Sequence, residues 1–541
     1  MRTGEGGAAA VREAGGTPKF TGALLLAVLG PAVSFTVTAI DPLMLSLNLP
    51  LIGRTFGVPP DVLGFLGGAA TLVVASAVLA VGNLGDAHGP KRLLVAGLAA
   101  GIVVNLLSTL SHNYPFLLAM RLLDGLAMAA MLGLSLALLT VSVPSGSRPL
   151  ALGVFMAVDM GLYGVTPLVG GAVVDWLGWR GVFLPAALLS LVALVLTVRH
   201  VAVPPGHRTS RLDVAGVTLF GLALLAFVHG IGAAQNGLGH PQAWIPLTVS
   251  ALTAAAFVRH ERRTPEPAMP LELFRGRPFA VAVLAALTLN FLSAGFSVVL
   301  GQFGSGVLAL STQEVGLLYL PGTAVIVAAG IYTGRIMAAY SPRPVMLTGL
   351  TVLIASSLLT AATAEARMAL WLLVLATWSC NLGTLITSAS ASETILSHTP
   401  PGKAGTTAAV QPAFGMTGYA LGPTVYLLLL DLFFERRWTA DAEARGMSLS
   451  QAGEAVDTVR GAMATSPGTA GYDPNLLRQA SGLDLALDFT NGLRLTMLTV
   501  SAAPLLVLVA AYKVMPRRSG RAPRSEGRAP RGDGHAPRSD Q

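Results

Sequence analysis

Four charged side chains lie inside stretches that are otherwise apolar: Asp41, the pair Arg121 and Asp124, and Asp159. An ionised carboxylate at such depth costs several kcal/mol unless it faces a polar cavity, meets a counter-charge or takes a proton, so each position is a candidate for proton or ion chemistry. Asp41, in TAIDPLMLSLNLPLIGRTFG, is the leading protonatable site; its other reading is a helix-end carboxylate bonded to a neighbour. Arg121 and Asp124, in MRLLDGLAMAA, are three residues apart and share one helix face. If they pair, the carboxylate stays ionised until something separates them. Asp159, in GVFMAVDMGLYGVTPLVGG, has three readings: a proton site, a site for a cationic substrate, or a local hydrogen bond.

The elements that position these residues are set by composition. Of 541 residues 53% are hydrophobic and 11% charged, far too apolar for one soluble core, and the apolar residues arrive in blocks near the roughly 20 residues a helix needs to span hydrocarbon. Fourteen such blocks are expected, beginning near 22–48, 62–84 and 93–110 and ending near 406–430 and 490–513. The chain reads as an all-α polytopic membrane protein. Alternate loops carry the basic residues, among them Lys91, Arg92, Arg148, Arg208, Arg262, Arg343 and Lys403, which places both termini and those loops in the cytoplasm and the protein in the cell membrane. The same topology accounts for the net charge of +8, so nucleic acid is not an expected partner. Met1–Lys19 is expected as a retained cytoplasmic tail rather than a cleaved signal, and the Arg/Pro/Ser/Gly-rich segment from 516 to 541 as a disordered basic tail able to touch anionic lipid. The polar, net acidic segment 431–488 is expected outside, either as a small cap with a helix around Ser450–Met463 or as a mobile loop. With a single cysteine, Cys380, no phosphate-binding loop and no zinc-protease or paired Cys/His pattern, we expect no metal, no cofactor, no ATP-driven pumping and no enzyme activity.

Between the second and third blocks lies GNLGDAHGPKRLL, Gly82–Leu94, expected as a short glycine-rich turn at the cytoplasmic face. It resembles the loop signature of the major facilitator superfamily, G-x-L-x-D-(R)-x-G-(R)-(K)-x-x-L, with Gly82, Leu84, Asp86, Gly89, Lys91 and Leu94 in register and Ala87 and Pro90 in place of basic residues. The resemblance implies a gating loop of Gly82, Asp86, Gly89, Lys91 and Arg92, in which the carboxylate at Asp86 holds the cytoplasmic gate shut. A degenerate echo, GRIMAAYSPRPVM from Gly334, repeats the glycine, the proline step and the basic position (Lys91/Arg343), with Ala338 where Asp86 stands. Such repetition fits two facing halves around a central cavity.

Further segments resemble the fourteen-helix drug:proton antiporter branch of that family. Asp41, Asn48, Leu49 and Pro50 follow its first-helix signature, interrupted by Pro42 and Met44; Arg121 and Gly125 follow its fourth-helix motif, with Asp124 for the usual glutamine. Gly161, Gly164, Pro167, Gly170 and Gly171 follow the antiporter motif G-x-x-x-G-P-x-x-G-G, with Thr166 before the proline. PLELFRGRPFA, STQEVGLLYLPG and the stretch from Pro400 extend the likeness over nearly the whole membrane region. The resemblance implies a major facilitator fold: an N-terminal six-helix bundle at 20–200, two additional helices at 201–260 and a C-terminal six-helix bundle at 261–515. It implies proton coupling through Asp41, Arg121 and Asp124 and a monomeric unit, while Asp159, an acid the family pattern does not require, and Tyr163, Asn290, Gln302, Tyr319 and Gln411, polar or aromatic positions inside the apolar blocks, are the candidates to line a substrate cavity. Where some members carry acids in helix thirteen, this chain has Gln411, Pro412 and Met416, which favours monovalent or neutral lipophilic compounds over divalent cations. The expected activity is export of lipophilic drugs or antibiotics in exchange for protons. A dedicated exporter of one endogenous metabolite and a non-transporting receptor or scaffold on the same fold are the alternatives.

Overall fold

The computed structural model describes residues 22–58, 60–202, 213–233, 240–265, 267, 269, 271–308, 310, 320–339, 341–365, 368–400, 403–444, 448 and 485–516. Hydrocarbon supplies no hydrogen-bond partners, so a spanning segment must satisfy its backbone internally, and helices do this. They are α1 (Gly22–Phe56), α2 (Pro60–His88), α3 (Pro90–Thr109), α4 (Tyr114–Ser142), α5 (Arg148–Leu177), α6 (Leu184–His200), α7 (Val214–Ala233), α8 (Pro241–Glu261), α9 (Arg277–Gly306), α10 (Leu320–Ala339), α11 (Pro342–Thr363), α12 (Leu370–Leu396), α13 (Ala404–Ala444), α14 (Leu485–Val500) and α15 (Ala502–Val514). Thirteen spans among the described residues are long and apolar enough to cross a membrane, α14 and α15 forming one of them, and α10 carries a shorter apolar stretch, Val325–Met337. Large apolar side chains such as Leu188, Leu252 and Leu506 point outward, as they do where the surrounding solvent is lipid.

Proline starts the helices rather than stopping them. α3, α4, α5, α6, α8, α9 and α11 each carry one in the first two positions, where the missing N–H would have no intrahelical partner. α4 adds a cap, the Phe116 N–H donating to Asn113 Oδ1 at 2.8 Å.

Three boundaries differ from expectation. α1 runs on to Phe56 through Pro42 and Pro50. The segment expected as a glycine-rich turn is helical as far as His88, and the break narrows to Gly89, whose φ of +93° only glycine adopts readily. α13 continues to Ala444 as a 41-residue helix of roughly 60 Å, about twice the hydrocarbon thickness, so the segment expected as a loop from Asp431 begins as a rigid extension. The Ser450–Met463 stretch and both terminal tails lie outside the described residues.

The helices pack as two groups. α1 to α6 contact one another, as do α9 and α11 to α15, with α10 joining the second group through α12. α5 meets α10 and α12, and α2 and α4 meet α13, which forms the two seams between the groups. Both seams rest on glycine. A Cβ on Gly153 would lie 2.5 Å from the Gly330 carbonyl and 2.8 Å from Gly334 Cα, and one on Gly82 would lie 2.7 Å from Ala409 Cβ. α7 and α8 pack on each other; α7 also touches α2 and α13, with Phe220 against the rings of Phe257 and Phe414.

Because Gly153 meets backbone rather than a yielding side chain, Gly153→Ala is expected to cost about 1–3 kcal/mol and to lower the melting temperature in detergent by several degrees. Gly68→Ala, at a position with nothing within 4 Å of the added carbon, is expected to leave it unchanged or raised. Scanning fluorimetry of the two variants checks both.

Candidate functional site

Arg121 is the centre of a buried polar cluster at 0% exposure, with Asp41 at 2% and Asp124 at 1%. Its Nη1 donates to Asp41 Oδ2 at 2.7 Å and to Asp124 Oδ2 at 3.3 Å, so one nitrogen serves two carboxylates from α1 and α4. Its Nη2 donates to Ser108 Oγ at 3.1 Å and Asn105 Oδ1 at 3.3 Å on α3. Asn105 Nδ2 donates in turn to Asp124 Oδ1 at 2.8 Å. The guanidinium lies over the Phe183 ring, 4.7 Å from its centroid, an arrangement in which the ring's negative face supports the charge. Helix period sets this up: Asn105 and Ser108 are three apart on α3, and Arg121 and Asp124 three apart on α4, so each pair shares a face and the two faces meet. The formal count is one positive against two negative charges, which one proton brings to neutrality. Asp41 Oδ1 and Arg121 Nε have no hydrogen-bond partner among the described residues.

The three residues expected to act together are thus brought together from segments 80 residues apart. Asn105, Ser108 and Phe183 were not anticipated. The first two carried a signal, being polar residues three apart in an apolar run; Phe183 carried none.

Asp86 forms the second polar site. Its Oδ1 accepts from the Gly405 N–H at 2.6 Å, and its Oδ2 from the Thr406 N–H at 2.8 Å and the Thr406 hydroxyl at 2.6 Å. A carboxylate on the first N–H groups of a helix meets unpaired donors and the positive end of the helix dipole, so Asp86, from α2, clasps the start of α13 across the seam. Lys91 turns the other way, donating to the carbonyls of Val198 and Val201 at the end of α6, within its own group. Arg343, its counterpart in the echo, donates to the Tyr512 carbonyl at 2.7 Å near the end of α15 and lies 5.2 Å from that ring's centroid. Arg92 is exposed.

Asp159 stands apart on α5, 5% exposed and within hydrogen-bond reach of the Thr36 hydroxyl on α1. Of the remaining cavity candidates, Tyr163 is half-buried one turn further along α5, and Gln302 is exposed on α9. Asn290 turns its amide back to the Ala286 carbonyl at 2.9 Å beside Gly415, and Gln411 accepts from Ser392 at 2.7 Å, tying α13 to α12. Tyr319 lies outside the described residues. In the antiporter motif, Gly161 faces Val327 of α10, Gly164 is buried, Gly170 faces Met44, and α5 stays helical through Pro167 and Gly171. Thr166 donates its hydroxyl to the Leu162 carbonyl at 2.9 Å.

Two helix groups that meet on glycine seams, with a buried charge cluster in one and a carboxylate clasp between them, define the architecture of a secondary transporter. The profile of the Major Facilitator Superfamily matches residues 29–423, and the chain belongs to that family: it is a transporter rather than an enzyme. It is 29% identical over 448 residues to the multidrug efflux pump LfrA of Mycolicibacterium smegmatis, covering 82% of this chain and 86% of that one. It is 30% identical over 433 residues to the methyl viologen resistance protein SmvA of Salmonella typhimurium, covering 77% and 86%. It is 27% identical over 414 residues to the tetracenomycin C resistance and export protein of Streptomyces glaucescens, covering 74% and 75%. Among solved structures, the human organic anion transporter MFSD10 superposes with a TM-score of 0.57 at 15% identity, covering 90% of this chain and 98% of that one. The proton:xylose symporter XylE gives 0.57 at 12%, covering 91% and 96%. These likenesses share the fold.

Removing the shared cation leaves two carboxylates buried without it. Arg121→Ala is expected to destabilise the protein by about 3–5 kcal/mol, with low yield and a lowered melting temperature. Asp124→Asn, which leaves the Arg121–Asp41 pair intact, is expected to cost less. Thermal denaturation of both in the same detergent checks the order.

Proposed function

We propose that the protein is a proton-coupled antiporter that exports lipophilic small molecules across the cytoplasmic membrane. The observation that carries this reading is Arg121 held between Asp41 and Asp124 at no more than 2% exposure. A cluster with one cation and two carboxylates has two natural states: carrying a proton and neutral, or lacking it and negative. A neutral cluster suits a cavity closed to water, because burial penalises net charge. Opening the cavity to one compartment hydrates the cluster and lets the proton leave; substrate and proton then alternate on a carrier that changes sides. Each proton entering down 100 mV supplies about 2.3 kcal/mol, enough for a gradient of about fifty-fold per uncompensated charge.

In this reading the Asp86 end faces the cytoplasm, as the basic residues of the alternate loops suggest, and the Asp86 clasp on α13 keeps that side shut. Both termini are then cytoplasmic. The relatives named for multidrug efflux and for tetracenomycin C export support an outward direction and a drug-like small-molecule cargo. The latter, named for one compound, also supports a narrower version, a dedicated exporter of a single metabolite.

The test is dye flux. Full-length protein in liposomes with an imposed pH gradient is expected to move ethidium against its concentration gradient, to stop when the gradient is collapsed by an ionophore, and to lose at least tenfold in rate in Asp41→Asn. Flux that ignores the pH gradient, or survives Asp41→Asn unchanged, overturns the reading. A panel of lipophilic compounds in the same assay separates a broad exporter from a dedicated one.

A further inference from the structure

Arg259, Arg262, Arg263, Arg275 and Arg277, at the end of α8 and the start of α9, are all exposed, and none makes a hydrogen bond or an ion pair among the described residues. Other basic residues at helix ends are spent on the chain itself: Lys91 donates to the carbonyls of Val198 and Val201, Arg148 to that of Thr140 and Arg343 to that of Tyr512. These five are not.

α8 and α9 are each long and apolar enough to cross a membrane, so the link between them lies at the membrane surface. It lies on the Asp86 side. The Phe279 ring, in the first turn of α9, is 6.4 Å from the ring of His398, which sits between the end of α12 and the start of α13, where Asp86 binds. The apolar side of the link is packed down. Phe257, Met269 and Phe279 are buried, and Leu271, Leu273 and Phe274 pack on the same core, with the Phe274 ring 5.3 Å from that of Phe279 and 5.7 Å from that of Phe414 on α13.

The arginines take the other side. At the end of α8, positions 259, 262 and 263 are three and four residues apart and share one face, while Phe257 and Glu261 occupy the opposite one. The acids there are turned inward: Glu261 is buried and accepts from the Met269 N–H at 3.2 Å, and Asp213, buried beside the same Gly216, accepts from the Gly216 N–H at 2.9 Å and meets His260 Nε2 at 2.8 Å. Glu272 is exposed, and Glu266 lies outside the described residues. Counting both, five guanidinium groups stand against two carboxylates. α9 adds a further bias, because its first turn holds no acid and its N-cap is Gly276, so Arg275 and Arg277 stand at the positive end of a helix dipole, where a cation is disfavoured and an anion favoured.

A phosphodiester headgroup answers this pattern. It is negative, its paired oxygens match the guanidinium fork, and it is present at that level of the membrane. A soluble acidic partner would have to displace the headgroups already there. We infer that the α8–α9 link is a docking surface for anionic phospholipid headgroups, which ties the end of the additional helix pair and the start of the second group to one set of lipid phosphates. The surface is distinct from the Arg121 cluster and holds whatever the cargo and whether or not protons drive its export.

Scanning fluorimetry of the full-length protein in uncharged detergent tests the surface without any cargo. Dioleoyl phosphatidylglycerol is expected to raise the melting midpoint, as a ligand of the folded state does, where dioleoyl phosphatidylcholine at the same mole fraction does not. The gain is expected to vanish in 1 M salt, which screens exposed charges beyond about 3 Å. In Arg275→Gln/Arg277→Gln the phosphatidylglycerol needed for half of the gain is expected to rise about thirty-fold, and Arg259→Gln/Arg262→Gln/Arg263→Gln to shift it in the same direction. Arg199→Gln/Arg335→Gln, which removes exposed arginines elsewhere, is expected to respond as the wild type does. A gain unchanged in both link variants, or lost equally in the Arg199/Arg335 control, overturns the inference. The same gain from inorganic phosphate alone overturns the lipid as the occupant. If the link variants do not fold, native mass spectrometry of the wild type decides: phosphatidylglycerol retained over phosphatidylcholine from an equal mixture supports the surface, and equal retention overturns it.

Discussion

A guanidinium fully withdrawn from solvent must be answered on every side, and the first helix group is arranged around that demand. Arg121 draws Asp41 from α1, Asn105 and Ser108 from α3, Asp124 from its own helix and the Phe183 ring from the turn before α6. Removing any one partner leaves the others with uncompensated polarity in a medium that cannot hydrate them, which is why such networks are rigid when complete and costly when broken. The same cluster carries one more negative than positive charge. The constraint that holds the helices together therefore also leaves the cluster one formal charge away from neutrality.

Cohesion within the groups and between them is built from different materials. Lys91 and Arg343 each sit at the start of a helix and donate to carbonyls at the end of the last helix of their own group, satisfying acceptors that a helix terminus leaves open. Between the groups the contacts are glycine against backbone, plus the Asp86 clasp on the first turn of α13. Close glycine packing yields van der Waals contact without interlocking side chains. Such surfaces can separate and meet again without unthreading long side chains, whereas the cation-capped ends move as part of their own body.

The seams are not alike. At the α2–α13 seam a carboxylate meets a helix N-terminus; at the corresponding α5–α10 seam position 338 is alanine, and Gly153, Gly330 and Gly334 make the contact. α7 adds to the difference, touching α2 where Gly221 meets Ser76 and α13 where Phe220 meets Phe414. Of the additional helix pair, α7 thus bridges one seam. A small pocket lined by Thr71, Ala75, Ser76, Leu224, Leu225, Met416 and Ala420 marks the three-helix junction.

Much of the fold was legible in the sequence because hydrocarbon imposes a length and a composition on whatever crosses it. The apolar blocks, their number, the proline starts and the glycine signature of the gate can all be read from residue order, since each is a local consequence of helix geometry. Boundaries were less legible: α1 passes through Pro42 and Pro50, and α13 runs past Asp431, because packing overrides local breakers. Apolar surroundings also marked Asp41, Arg121, Asp124 and Asp159, since acids and arginine there demand an explanation, while Asp86 was marked by its likeness to the loop signature. What they do to one another depended on tertiary structure. Only the packing of α1 against α4 put Asp41 on Arg121, only the seam gave Asp86 its helix N-terminus, and only the α1–α5 contact brought Asp159 to Thr36. Sequence spacing fixes neighbours three or four residues apart on a helix, whereas partners 80 or 320 residues away are chosen by how the helices pack.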